Sequence, residues 1–109
     1  MFARILTFEV KMEKKDEFVK ALKNQVLPIL KKQTGFLEIL PFTPDKTAKV
    51  DMVYNISLWN TKLDAERYEK ETFNKVHEIL KPFLTTPVEI NLYNLETTVC
   101  EHFVEALTA

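Results

Sequence analysis

Over the first eleven residues apolar and polar positions alternate with a period of two. Phe2, Leu6, Phe8 and Val10 share one face, and Ala3, Ile5, Thr7 and Glu9 the other. That period predicts a strand over 2–11. Arg4 is the exception on the apolar face and is expected near an open end of the sheet. The period then lengthens. Glu13 and Asp16 open a helix whose stripe is Phe18, Leu22, Val26, Ile29 and Leu30. Pro28 lies inside that stripe, so a kink or break is expected near 26–28. Lys31 and Lys32 suit the negative end of the helix dipole. Gly35 supplies the left-handed residue that closes a helix.

A second strand is predicted over 36–42, a turn with Pro44 and Asp45 over 43–47, and a third strand over 49–59. Asn60 or Thr61 can cap a second helix, with Asp64 near its positive end. Its stripe runs through Ala65, Tyr68, Thr72, Val76, Leu80 and Phe83 and stops between Pro82 and Pro87. A last strand follows over 88–97. Residues 1–98 read as one domain and 99–109 as an appendage, helical at best. The order is βαββαβ. Right-handed crossovers put both helices on one face of a four-stranded antiparallel sheet, an α+β ferredoxin-like sandwich.

The far face of that sheet should be polar in a monomer, yet the strands carry apolar residues in both phases. One phase is Phe2, Leu6, Phe8, Tyr54, Ile56, Leu58, Ile90 and Leu92; the other mixes Ala3, Ile5, Thr7, Val53, Asn55, Ser57, Trp59, Asn91 and Tyr93. An exposed face as apolar as the first would exceed the few hundred Å² that monomers tolerate. It is expected to pack on its own copy about a two-fold axis. The mixed phase then lies under the helices, where its polar groups need partners, water or a ligand.

Composition narrows the classes. A chain of 109 residues, 46% hydrophobic and 28% charged, suits one globular domain. The formal charge of -1 gives no basic field for nucleic acid. The lone Cys100 cannot form an internal disulfide, which fits a reducing cytoplasm. No apolar run approaches the roughly 18 residues of a membrane span, and charges at Arg4 and Glu9 argue against a signal-peptide core. The two histidines and one cysteine have no zinc spacing. A single glycine cannot build a phosphate-binding loop. The expectation is a protein without metal or flavin.

Several features together resemble the antibiotic biosynthesis monooxygenase domain of the dimeric α+β barrel superfamily. They are Gln33-Thr34-Gly35-Phe36 after the first helix, Trp59 ending the third strand, the helix over 64–84, and Pro82-Phe83-Leu84 with Pro87-Val88 before the last strand. The resemblance covers residues 2–97. It implies a homodimer whose sheets form a shared barrel, with a pocket between sheet and helices in each subunit. Some members oxygenate electron-rich phenols without a cofactor, some oxidise quinols, some degrade haem, and fold does not settle which.

Asn55 and Trp59 are four apart on a strand and so share a face. The Asn-x-x-x-Trp spacing is similar to the pair used by cofactor-independent oxygenases of this family. An amide can bond a substrate oxygen, and an indole N–H can hold a developing oxyanion. The resemblance makes Asn55 and Trp59 catalytic candidates; His77, which as a general base could take a phenol proton, is a third, with Thr7, Tyr68 and Phe73 contacting a small aromatic substrate. The arginine that those oxygenases carry on or after the second helix has no counterpart here: apolar residues such as Ile79 stand at that place. Arg4 or Arg67 could substitute. The haem-degrading branch resembles this chain less. Thr7, Tyr68 and His77 occupy its asparagine, tryptophan and histidine places, but Tyr68 and His77 lie about 180° apart on a straight helix. A break over 69–72 would change that. His77 can also be a half-buried helix-edge histidine, His102 a tail residue, and Cys100 a packed thiol. The leading reading is a cofactor-independent monooxygenase of an aromatic or quinol-like compound. The alternatives are a non-catalytic dimeric ligand-binding module and an isomerase or lyase using His77 as base.

Overall fold

The computed structural model describes residues 1–47 and 51–100. Its main elements are β1 (Phe2–Glu9), α1 (Lys15–Ala21), α2 (Leu27–Lys31), β2 (Phe36–Phe42), β3 (Met52–Trp59), α3 (Lys62–Glu71), α4 (Phe73–Leu80) and β4 (Glu89–Asn94). The expected start of the third strand and most of the appendage, including His102, lie outside the described residues.

The strands form one antiparallel sheet in the order β2-β3-β1-β4. This is the ferredoxin-like arrangement, with β1 central and β4 and β2 at the edges. Phe18, Leu22, Val26 and Leu30 from the first helical region join Phe8, Val53 and Leu80 in one buried core. At Pro28 the first helix keeps helical dihedrals and changes its hydrogen-bond pattern. The proline's missing N–H and its ring cannot serve a regular turn around Asn24. The turn widens instead into a π-helical stretch, Leu22–Val26, which closes with Leu27 N–H donating to the Leu22 carbonyl.

One continuous second helix was expected, and the structure divides it in two. Thr72 leaves helical geometry at φ -128°, ψ -30°, separating α3 from α4. Tyr68 and Phe73 are five apart and would diverge by about 140° on a straight helix. The break lets both rings turn to the sheet, where they are buried with centroids 6.1 Å apart. Thr72 Oγ1 donates to Gln33 Oε1 at 3.1 Å, and Gln33 Nε2 donates to the Ile29 carbonyl at 3.0 Å. The residue before the Gly35 turn thus pins the break.

Thr61 is the cap of α3. Its hydroxyl oxygen accepts from Asp64 N–H at 3.1 Å, and the hydroxyl donates to Asp64 Oδ2 at 2.8 Å. Gly35 sits at φ +80° directly against the Asp64 carboxylate. Gly35→Ala should therefore destabilise the fold by more than the roughly 1–2 kcal/mol of a left-handed L-residue, because the added methyl also displaces Asp64. Urea unfolding midpoints measure this, and an unchanged midpoint would contradict it.

Candidate active site

The ladder registers align residues into rows across the sheet. On the helix face the rows are Phe36–Trp59–Phe2–Asn94, Ile39–Ser57–Arg4–Leu92 and Pro41–Asn55–Leu6–Ile90. On the other face they are Leu40–Ile56–Ile5–Asn91 and Phe42–Tyr54–Thr7–Glu89. Each strand alternates as expected, but the strands combine differently. Phe2, Leu6 and Phe8 lie under the helices with Asn55 and Trp59, and do not join Tyr54 and Ile56 on the open face. Thr7 is consequently a correction. It sits beside Tyr54 on the open face, because its neighbour Leu6 is the residue paired with Asn55. One sheet cannot turn Thr7 and Asn55 into the same pocket.

Arg4 is the second departure. It stands at no open end and is 1% exposed. Arg4, Asn55 and Ser57 are the buried polar residues among those described, at neighbouring positions of two adjacent rows. Aromatic rings roof them. Trp59 stacks on Tyr68 with centroids 4.9 Å apart and rings 30° from parallel. The Arg4 guanidinium carbon lies 5.1 Å from the Tyr68 centroid and 4.7 Å from that of Phe73, both within cation–π range. The nearest carboxylate, Glu69, is 3.9 Å from Arg4 Nη2. Arg4 Nε, Arg4 Nη2 and Asn55 Oδ1 have no hydrogen-bond partner.

The Trp59 indole N–H is already engaged. It donates to Ser57 Oγ at 2.9 Å, and the residue is 0% exposed. Trp59 thus faces the helices beside Asn55, yet its N–H is committed to Ser57. Ser57 was not among the sequence candidates; its place two residues before Trp59, on the same face, was the available signal.

Burial lowers the Arg4 pKa from its ordinary value, against the opposing pull of Tyr68 and Glu69. Burial also pushes the Tyr68 hydroxyl up to about 12, with the Arg4 cation pulling the other way. A phenol raised in the folded state stabilises the fold below its unfolded pKa of about 10, and that contribution is lost as pH rises through about 12. Alkaline titration at 295 nm should show one tyrosine ionising only near pH 12 or with unfolding. Tyr68→Phe should remove that step.

A cavity of about 570 Å³ opens between α4 and the β4 edge. Phe73, His77 and Lys81 line it from α4, with Thr86, Val88 and Ile90 across. The backbone explains the gap. Thr85 N–H donates to the Glu9 carbonyl at 3.0 Å and Glu9 N–H to Thr86 Oγ1 at 3.0 Å, while the β1–β4 ladder resumes at Glu89. Pro87 has no N–H to bridge the interval. Asn55 and Trp59 are not on this cavity's wall, contrary to expectation. Phe73 connects the two, with one side in the cavity and the Arg4 guanidinium against its ring. His77 is half-buried on the wall, its ring centroid 6.0 Å from Phe73. Tyr68, Phe73 and His77 therefore form one succession of rings, which a straight helix would forbid. A smaller cavity of about 330 Å³ lies at the β2 edge, between Leu22, Leu27, Ile39 and Pro41. Among the described residues no cluster of His, Cys, Asp or Glu could hold a metal ion, and no helix is long and apolar enough to cross a membrane.

No protein-family model matches the sequence, and no curated protein matches it. Solved structures do. A monooxygenase from the gene ActVA-Orf6 of Streptomyces coelicolor, in complex with nanaomycin D, is 17% identical with a TM-score of 0.71, covering 87% of this chain and 87% of that one. SnoaB, a cofactor-independent oxygenase from Streptomyces nogalater, is 17% identical with a TM-score of 0.70, covering 90% of this chain and 95% of its own. The heme-degrader MhuD from Mycobacterium tuberculosis, with two hemes in its active site, is 14% identical with a TM-score of 0.70, covering 88% and 96%. The resemblance carried by Gln33–Phe36, Trp59 and the second helical region is thus one of fold, the ferredoxin-like α+β fold of solved antibiotic biosynthesis monooxygenase structures.

Proposed function

We propose that the chain is a cofactor-independent monooxygenase of a small, electron-rich phenol or quinol, bound in the cavity between α4 and β4. The observation that carries this is the cavity itself, about 570 Å³, with a histidine on its wall and a single ring, Phe73, between it and a buried polar cluster. Its apolar lining suits an aromatic body, and Phe73 with Val88 and Ile90 grips the ring faces. The neighbours named as oxygenases support the reading.

Within it, His77 takes the phenol or enol proton from its place on the cavity wall. The electron-rich anion passes one electron to dioxygen. The resulting pair combines, forming a carbon–oxygen bond and, after protonation, a hydroperoxide. Loss of water then breaks the oxygen–oxygen bond and leaves a carbonyl. One oxygen atom stays in the product and the other leaves as water, with one hydrogen from the proton His77 took and returned and one from the oxidised carbon. Asn55 stands behind Phe73 and not on the cavity wall, so it holds the substrate oxygen, as charge develops on it, once that ring turns aside, while Tyr68 and Trp59 fix the wall behind. Trp59 acts by packing and by fixing Ser57, not as an oxyanion donor.

Haem degradation fits the residues less well. The break at Thr72 removes the angular objection to Tyr68 and His77, but Thr7 faces the opposite side of the sheet. Oxygen uptake with an anthrone as substrate tests the proposal. Asn55→Ala should lower the rate by roughly 10²-fold, the scale for losing one donor to a developing oxyanion, with the fold unchanged by circular dichroism. No uptake by the wild type would overturn the reading. A sharp Soret band at equimolar haem that disappears in His77→Ala would replace it with the haem one.

A further inference from the structure

Arg4 is a buried cation that the fold satisfies only in part, through two ring faces and a distant carboxylate. Its Nε and Nη2 donors lack hydrogen-bond partners, and Glu69 is 3.9 Å away with its own side chain 42% exposed. Asn55, 6% exposed, presents an unpaired acceptor, Oδ1, from the diagonal position of the next row on the same face. Side chains so placed on adjacent strands lie within reach of one bound group. Unsatisfied buried donors and acceptors are costly, and a buried charge more so, which makes an unexplained pair of them a mark of a missing partner.

We infer that Arg4 and Asn55 form an anion subsite behind Phe73, selecting an aromatic substrate whose ring bears an ionised oxygen beside a hydroxyl or other donor. The inference rests on the substrate occupying the α4–β4 cavity. The two Arg4 donors take the ionised oxygen, in the paired geometry that guanidinium favours. The adjacent hydroxyl donates to Asn55 Oδ1. A ligand enters along Ile90 and Val88, and the Phe73 ring swings aside to admit its polar edge. Neutral apolar rings of the same size fill the cavity but leave both polar groups unpaired.

The test is quenching of Trp59, the chain's single tryptophan, which stacks on the Tyr68 ring that Arg4 faces. The probes are 1-hydroxy-2-naphthoate, which carries a carboxylate beside a hydroxyl, and neutral 1-naphthol. The wild type should bind the first roughly 10- to 100-fold more tightly, the range for hydrogen bonds to a charged group. Arg4→Met should erase that preference and leave 1-naphthol affinity unchanged. Lys81→Ala, which removes the cation at the cavity mouth, should keep the preference. If Arg4→Met fails to fold, Arg4→Gln serves the same comparison, and the wild-type preference together with Lys81→Ala decides without either. Equal binding of the two probes, or a preference lost with Lys81 and retained without Arg4, overturns the subsite while the proposed function stands. Failure of both probes to bind overturns the occupied cavity and the subsite with it.

Discussion

Trp59→Ala should come close to unfolding the chain. The indole is 0% exposed, stacks on Tyr68 at 4.9 Å, meets Phe36 edge-on at 5.6 Å, and donates to Ser57 Oγ at 2.9 Å. Truncating a buried tryptophan costs about 3–5 kcal/mol, against a total stability of about 5–15 kcal/mol for a domain. The variant also strips the support under Tyr68, and through it the ring that Arg4 sits against. A fall in melting temperature of more than roughly 10 °C is expected at this size. Trp59→Phe separates the contributions: it keeps a ring on Tyr68 and loses the bond to Ser57, so it should cost about 1 kcal/mol beyond the lost contact area. A Trp59→Ala protein within 1 kcal/mol of wild type would show that the aromatic succession holds little of the core together.

The elements were legible because each is written in a local period. Phe18, Leu22, Val26 and Leu30 name their helix, Gly35 its end, and Thr61 with Asp64 the start of the next. The pairing between strands is written nowhere locally. Within β1 and within β3 the alternation is correct, but whether Leu6 shares a face with Asn55 or with Ile56 depends on a register set by distant packing, and a slip of one residue exchanges the faces. That is why Asn55 and Trp59 fell on the helix side as expected and Thr7 did not.

Arg4 was misplaced for a related reason. A charged residue in an apolar phase reads as a strand end, and only the break at Thr72, which brings Tyr68 and Phe73 together over β1, gives it a buried seat. Threonine is tolerated inside helices, so the break itself is faint in sequence. The sign available was two large rings, Tyr68 and Phe73, that one straight stripe could not both bury. The cavity was faint too, since it comes from strand pairing interrupted at Pro87 more than from any motif.

The corrected faces change what a dimer would be made of. The open face carries Ile5, Leu40, Phe42, Tyr54, Ile56 and Tyr93, of which Phe42, Tyr54 and Tyr93 are 55%, 49% and 56% exposed. Apolar side chains in three consecutive rows make a continuous patch of the kind that marks an interface, and a second copy about a two-fold axis is the partner we propose for it. Ile56 lies mid-sheet, between Leu40 and Ile5. Ile56→Asp should convert a dimer at micromolar concentration to monomer by light scattering, because an uncompensated charge in such an interface costs several kcal/mol. Since Ile56 points away from α3 and α4, the variant should keep its far-ultraviolet dichroism and the cavity lined by Phe73 and His77. Its ligand affinity should then stay near that of the wild type, which separates loss of the interface from loss of the fold. A wild type that is monomeric at the same concentration would remove the dimer and leave the open face without a partner.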